Sequence, residues 1–464
     1  MQALLNTNVY LLMIIAIVYL GALLLIIKLV HGGFKSKSIY HFKSDLKEVS
    51  KSEKSNIKND KTEIFLGTSG KKKIYLKSNA NNVYVCGTTG SGKTVTLSNF
   101  IKYGIDNNMP LLVIDGKGDT NEGSLFDIVK KLKGKKKLYV IDLNNPQKSD
   151  KYNPFSNTNY TVVKDMLINM TDWSEEHYKY NTERFMQRLV ELLSKTGIPL
   201  SLKSIAQHMS TDHFEALSAR LLKDEVITKQ EHIDNLELAK YAHQIIMGAS
   251  ARFSTIIESE LGVIFDDTGI DIKTALQERA IILFILNPLI YPELSTLVGR
   301  LITIDAKKAI SYFYHERIDR GFFIFDEINV YASDTLLNLV NKSRSANITS
   351  ILASQSLSDL EEHESEHFRE QIIENCNNYI IMRQNSAKNS EIWANIIGTK
   401  ETMNVTYQIK SDSYSTSDTG LGSARRTREY IYHPDEIKNL PVGAGYFVSK
   451  DNNFKTKIII NKPF

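Results

Sequence analysis

Residues 87–94 read GTTGSGKT, and this octapeptide decides the fold. The apolar run VYVC precedes it, and the helix-forming segment TVTLSNFIKYGI begins at its last residue. The pattern G-x-x-x-x-G-K-[ST] between a strand and a helix predicts a phosphate-binding loop. Its glycines let backbone N–H groups surround a triphosphate, and the helix N-terminus attracts negative charge. We therefore expect ATP to be bound by Gly87, Thr88, Thr89, Gly90, Ser91, Gly92, Lys93 and Thr94.

A second motif is acidic. Residues 321–327 read GFFIFDE, which is typical of a buried strand that presents two carboxylates at its C-terminal end. We expect Lys93 to reach the β- and γ-phosphates, and Thr94 and Asp326 to hold Mg²⁺. Glu327 is then expected to polarise the attacking water. The alternative is an exposed Asp-Glu turn.

The next apolar run, ITSILASQ at residues 348–355, ends in Gln355. A polar amide at a strand end beside the γ-phosphate can sense the state of the nucleotide. As a single residue Gln355 would be weak evidence, but its strand directly follows the acidic one. We therefore predict a catalytic role for Gln355 together with Lys93 and Glu327.

Short apolar runs recur along the chain and indicate its fold class. They lie at residues 83–86, 111–114, 138–141, 281–286, 322–325, 348–353 and 379–382. Helical segments separate most of them, which predicts an α/β fold with a mostly parallel sheet covered on both faces. Residues 157–249 contain only helix-period segments, which predicts an inserted all-α domain. The Ser/Gly-rich residues 411–424 are expected to form a mobile loop.

The N-terminus is apolar. Residues 9–27 carry no charge, and such a run is long enough to cross the ~30 Å hydrocarbon core of a bilayer. Five lysines follow it within twenty residues, whereas residues 1–8 have no charged side chain. We therefore expect a single-pass protein of the cytoplasmic membrane, with its N-terminus outside and its body in the cytoplasm. A cleaved signal peptide is the alternative, but no small-x-small cleavage pattern follows.

The amino-acid composition adds little to these predictions of fold and function. The formal net charge of +4 over 464 residues is too small to indicate nucleic-acid binding by itself. The two cysteines, Cys86 and Cys376, form no CxxC pair, which argues against a disulfide framework or a zinc site.

Several motifs taken together resemble one known family. They are GTTGSGKT, LLVIDGKGD at residues 111–119, KYNPF at 151–155, FDE at 325–327 and ILASQS at 351–356. In this order they are similar to the type IV coupling proteins, the TraG/TraD-type ATPases within the FtsK–HerA group of translocases. The resemblance covers residues 64–464 and is much more specific than any one of the motifs.

The resemblance implies a homo-hexameric ring built from a RecA-like P-loop NTPase domain. It also implies ATP between subunits, DNA in a central channel, and relaxase and type IV secretion channel components as partners. Arg344 matches the position of an arginine that acts on the ATP of a neighbouring subunit. Family members usually have two transmembrane helices, whereas this sequence shows one.

These observations predict five segments. Residues 1–34 form the anchor, with a helix at about 9–30, and residues 35–63 form a linker. Residues 64–156 and 250–464 form the two parts of the nucleotide-binding domain, and residues 157–249 form the all-α domain.

Two other functions stay open. One is a double-stranded DNA translocase, which would usually add a sequence-reading module that we do not see before Phe464. The other is a platform that delivers protein cargo under the control of ATP.

Overall fold

The computed structural model describes residues 62–464, apart from 172, 174, 364, 365, 413 and 414. The predicted anchor, with its helix at 9–30, and nearly all of the predicted linker lie outside the described residues. Among the helices that are described, none is both long enough and apolar enough to cross a membrane.

A mixed sheet of eleven strands forms the centre of the described part, in the order β2-β1-β13-β12-β9-β3-β8-β7-β4-β6-β5. The seven strands from β9 to β5 are parallel, and β12, β13, β1 and β2 extend the sheet in antiparallel pairs. The strands are β1 Glu63–Ser69, β2 Lys72–Lys77, β3 Val83–Cys86, β4 Leu111–Asp115, β5 Leu138–Asp142, β6 Ile281–Ile285, β7 Gly321–Asp326, β8 Ile348–Ser354, β9 Asn378–Met382, β12 Ala444–Ser449 and β13 Phe454–Ile460.

The seven parallel strands coincide with the seven apolar runs of the sequence. Successive side chains of a strand point to opposite faces of the sheet. In β3, Tyr84 and Cys86 therefore pack into one hydrophobic core, and Val83 and Val85 into another on the opposite face. Because both faces are covered, the six inner parallel strands, β3, β4 and β6 to β9, are buried at every position rather than at alternate ones. The predicted parallel α/β sheet is confirmed.

Helices cover both faces of the sheet. They are α1 Lys93–Asp106, α2 Leu125–Leu132, α3 Tyr160–Asn169, α4 Glu176–Ser194, α5 Leu202–Gln207, α6 Thr211–Lys223, α7 Lys229–Ile257, α8 Ile272–Gln277, α9 Pro292–Phe313, α10 Asp334–Ser343, α11 Ser358–His363, α12 Glu366–Glu374, α13 Ala387–Ile397 and α14 Pro434–Lys438. The described residues between 157 and 249 form the helices α3 to α6 and most of α7. Helix α7 begins at a capping box made by Thr228 and Glu231 and continues eight residues past the expected boundary at 249. The division into domains stays a prediction.

The KYNPF segment leads from β5 towards the helical region and is fixed by buried charges. The Tyr152 hydroxyl donates a hydrogen bond of 2.9 Å to Asp305 Oδ2. Lys308 Nζ lies 2.9 Å from Asp305 Oδ1 and donates a 2.5 Å hydrogen bond to the backbone oxygen of Pro154. Burial raises the pKa of the Asp305 carboxyl, and the neighbouring Lys308 acts in the opposite direction.

The predicted mobile loop at residues 411–424 is wrong. Its described residues, 411, 412 and 415–424, belong to a two-stranded antiparallel ribbon, β10 Thr399–Asp412 and β11 Ser415–Tyr430, which forms a sheet of its own. In its described side chains the ribbon leaves Met403 and Val405 exposed, by 43% and 45%. It was missed because cross-strand hydrogen bonds hold such a ribbon together without a buried apolar face, and an apolar run is the signal that reveals a strand.

Candidate nucleotide site

The loop of residues 87–94 joins the C-terminal end of β3 to the N-terminus of α1. Gly92 caps the helix in the left-handed region, with φ of 112°, which an L side chain rarely adopts. The loop backbone is tied to the rest of the fold at three points. Gly87 N donates a 3.3 Å hydrogen bond to Ser354 O. Thr88 N donates a 2.9 Å hydrogen bond to Arg383 O, and Gly443 N donates one of 2.9 Å to Ser91 O. The chain therefore forms the phosphate-binding turn that the sequence predicts.

Three carboxyl groups lie at the ends of β4 and β7. Asp115 and Asp326 are register partners on these adjacent parallel strands, and Glu327 follows directly. The three residues are buried, with exposures of 2%, 4% and 7%. Glu327 has a φ of 48°, in the left-handed region that is uncommon for residues other than glycine. Strained backbone of this kind is concentrated at functional sites.

The burial of these groups changes their proton affinity. Desolvation raises the pKa of Asp326 to about 8, and the nearby Glu327 and Asp115 add to the rise. Desolvation also raises the pKa of Asp115 to about 6, although the backbone N–H groups of Lys117 and Gly118 hydrogen-bond to its carboxylate and oppose the rise. The site therefore gains from a nearby cation.

Lys93 connects the loop to these carboxyl groups. Its Nζ donates a 2.7 Å hydrogen bond to Gly87 O and lies 3.6 Å from Glu327 Oε1. Gln355, one residue after the end of β8, donates from Nε2 to the same Glu327 oxygen over 3.2 Å. The Thr89 hydroxyl donates to Gln355 Oε1 over 3.0 Å. The structure thus brings five predicted site residues into one connected set, namely Gly87, Thr89, Lys93, Glu327 and Gln355.

Glu327 is held on one side only. Its Oε1 atom has the two partners just described, whereas its Oε2 atom is buried and has no hydrogen-bond partner among the residues that the structure describes. An unpaired buried carboxylate oxygen is costly, and such groups occur at catalytic sites. Oε1 is therefore the restrained oxygen of Glu327, and Oε2 is the oxygen without a partner in the described structure.

Three further residues have to be placed: Thr94 and Arg344, which the sequence predicts as site residues, and Asp115, which it does not. Thr94 lies half-buried in the first turn of α1. Asp115 was missed as a site residue, although LLVID ends in an aspartate just as FFIFD does, and that shared ending was the available signal. The third residue, Arg344, is exposed and follows the end of α10, four residues before β8.

Arg344 and Gln355 lie at opposite ends of β8. This strand has seven residues, so the two ends are roughly 20 Å apart at ~3.3 Å per residue. The described structure therefore does not bring Arg344 to the phosphate loop of its own chain.

Comparisons with known proteins agree on the family. Residues 40–251 match the family described as "Type IV secretory system Conjugative DNA transfer", and residues 320–442 match "TraM recognition site of TraD and TraG". A 56-residue segment is 41% identical to an uncharacterised protein of Mycoplasma pneumoniae, and the match spans 10% of this chain and 47% of that protein.

Solved structures share the fold. The bacterial conjugative coupling protein TrwB, in an unbound form lacking its N-terminus, has a TM-score of 0.60 and 16% identity, over 86% of this chain and 89% of that one. TrwB in complex with ADP and Mg²⁺ has a TM-score of 0.58 and 16% identity, over 84% and 88%. VirB4 of Thermoanaerobacter pseudethanolicus has a TM-score of 0.53 and 13% identity, over 87% and 97%.

Proposed function

Because this chain belongs to the type IV coupling proteins, we propose that it is a membrane-anchored hexameric ATPase that transfers DNA through a conjugation or type IV secretion channel. The DNA is single-stranded and bound to a relaxase. The observation that carries the proposal is the buried Glu327, which contacts the loop lysine Lys93 through one oxygen and leaves the other oxygen for a reactant.

The side chains at the site suit ATP and Mg²⁺. A Cβ atom added at Gly87 would lie 2.5 Å from Ser91 Oγ and 2.7 Å from Met382 Cβ, so a larger residue there would force these neighbours to shift. A lysine, a hydroxyl and buried carboxyls surround this loop, and oxygen donors are the ligands that Mg²⁺ prefers. Related TrwB structures are complexes with ADP and Mg²⁺ and with a non-hydrolysable ATP analogue, which supports the same ligands here.

Each residue then has a defined task. Thr94 and Asp326 hold Mg²⁺, which neutralises charge on the phosphates during transfer. Lys93 exchanges its contact with Gly87 O for the phosphate oxygens, and its positive charge stabilises the negative charge that develops there. Glu327 Oε2 accepts the proton of the attacking water, while Oε1 stays bound to Gln355.

The ring and the membrane anchor complete the proposal. The uncharged residues 9–27 and the lysines after them support a single membrane-spanning helix with the ATPase in the cytoplasm. The position of Arg344, far from the phosphate loop of its own chain, supports a role at the ATP of a neighbouring subunit in a hexamer.

ATP turnover by the full-length protein in detergent tests the function. We expect hydrolysis that single-stranded DNA stimulates more than duplex DNA does. Lys93→Ala should abolish ATP binding. Glu327→Gln should bind ATP but lose roughly 10²–10⁴-fold in rate, because it lacks the base.

Two outcomes would contradict the proposal. If the parent protein hydrolyses ATP no faster than Glu327→Gln with any DNA, the assignment as an ATPase is wrong. If only duplex DNA stimulates turnover, the chain is instead a double-stranded DNA translocase.

A further inference from the structure

We infer that the hydroxyl of Thr89 is a positioning group for ATP hydrolysis, which orients the catalytic base Glu327 through the amide of Gln355. This inference rests on the proposed ATPase function. It starts from two hydrogen bonds in series, 3.0 Å from Thr89 Oγ1 to Gln355 Oε1 and 3.2 Å from Gln355 Nε2 to Glu327 Oε1.

The carboxylate of Glu327 fixes the direction of this series. Gln355 turns its NH₂ group towards Glu327, whose Oε1 atom accepts the hydrogen bond. The carbonyl oxygen of the same amide then faces Thr89, and the Thr89 hydroxyl must donate to it. A side chain without that hydroxyl can fill the same space but leaves the Gln355 amide free to rotate.

Rotation of the amide would disturb the base. Gln355 and Lys93 hold Oε1 of Glu327, and this is what leaves Oε2 available to a water. If Gln355 no longer donates, Lys93 alone restrains the carboxylate, and Lys93 also has to serve the phosphates. The orientation of Glu327 is then less well defined at the moment of proton transfer, which lowers the rate.

The same hydroxyl is not needed to shape the phosphate loop. Backbone hydrogen bonds from Thr88 N to Arg383 O and from Gly443 N to Ser91 O hold the loop. Neither of them involves the side chain of Thr89. The glycines supply the turn, and backbone N–H groups bind phosphate. Loss of the hydroxyl should therefore lower kcat and leave the affinity for ATP unchanged.

The effect should be modest, because Thr89 and Gln355 are both exposed and water can partly replace their hydrogen bond. The loss of a neutral hydrogen bond of this kind corresponds to roughly a 2- to 10-fold decrease in kcat. Thr89→Val is the matched substitution, since it keeps the β-branched shape and removes only the hydroxyl. Thr89→Ser restores the hydroxyl and should regain the activity that Thr89→Val loses.

The test compares the parent, Thr89→Val, Thr89→Ser, Gln355→Ala and the double variant Thr89→Val/Gln355→Ala, all as full-length protein in detergent. The ATPase rate gives kcat, and binding of a fluorescent ATP analogue gives Kd. We expect Thr89→Val to lower kcat at constant Kd. We also expect it to have no further effect once Gln355 is replaced, because the two side chains act in series.

Three outcomes would overturn the inference. Thr89→Val could leave kcat unchanged, it could weaken ATP binding, or it could lower the rate equally in the presence and absence of Gln355. Each of these leaves the ATPase assignment intact. A parent protein that binds ATP but never hydrolyses it would instead overturn both this inference and the proposed function.

Discussion

At the scale of single residues, the electrostatics of the site are unfavourable without a ligand. Asp115, Asp326 and Glu327 lie together in a buried place, and desolvation raises the pKa of Asp326 to about 8. An aspartate in an unfolded chain has a pKa of about 3.9. Between these two values the folded protein keeps a proton that the unfolded chain has released. The free energy of unfolding therefore falls as the pH rises through this window, by up to about 1.4 kcal/mol per pH unit.

Asp326→Asn tests this electrostatic argument. Asparagine has the shape of the protonated carboxyl but does not titrate, so it avoids the loss of stability that the parent suffers as the pH rises. In a buffer containing EDTA, the Tm of Asp326→Asn relative to the parent should increase steadily from pH 5 to pH 8. A difference in Tm that stays constant over this range would show that Asp326 does not carry the pH dependence. The value at pH 5 serves as the internal reference.

The sequence alone could predict the site residues that belong to a motif. It could not predict contacts between residues that only the fold brings together. Lys93, Asp326 and Glu327 follow from the spacing of strand, loop and helix. The contact between Thr89 and Gln355 joins side chains 266 positions apart, so no local pattern could predict it. Asp115 becomes a neighbour of Asp326 only because β4 and β7 are adjacent in the sheet.

At the scale of elements, the KYNPF segment depends on one buried carboxyl group. Tyr152 and Ile272 N donate hydrogen bonds to Asp305 Oδ2, over 2.9 Å and 3.1 Å. Hydrogen bonds to charged groups stabilise a protein by about 1.5–3 kcal/mol. Tyr152→Phe should therefore lower the free energy of unfolding by about this amount in urea titration. The matched control is Tyr241→Phe, at a side chain that is 83% exposed, where we expect a change within about 0.5 kcal/mol. Equal effects of the two substitutions would contradict the role of Tyr152.

The strands differ in how well the sequence reveals them. A parallel strand buried on both faces is a continuous apolar run, and all seven parallel strands, including β5 at the edge of the sheet, were predicted from such runs alone. The strands β10 and β11 pair only with each other, and the Ser/Gly-rich sequence of residues 411–424 contains no apolar run that would indicate a strand. The pairing of β10 with β11 joins residues that are distant in the sequence, so the local composition does not indicate it.

At the scale of the whole molecule, the position of Arg344 bears on whether each subunit hydrolyses ATP alone or needs an arginine from a neighbouring subunit. Arg344 lies at the opposite end of β8 from Gln355, so it cannot assist the ATP of its own chain. If the proposed hexamer forms, the same exposed arginine can reach the ATP of a neighbour and stabilise the charge that develops during phosphoryl transfer. Hydrolysis would then depend on assembly. A monomer that hydrolyses ATP at the full rate would have no use for Arg344.

Mixed rings distinguish these designs. Arg344→Ala and Lys93→Ala should each be nearly inactive alone, since one lacks the donor and the other lacks the site. After subunit exchange in an equal mixture, half of the sites and half of the donors are intact, so about one quarter of the parent activity should return. Lys342→Ala, two residues away and also exposed, is the matched control and should keep the parent rate. A mixture that stays inactive, or an Arg344→Ala protein that is fully active by itself, would show that each subunit works alone.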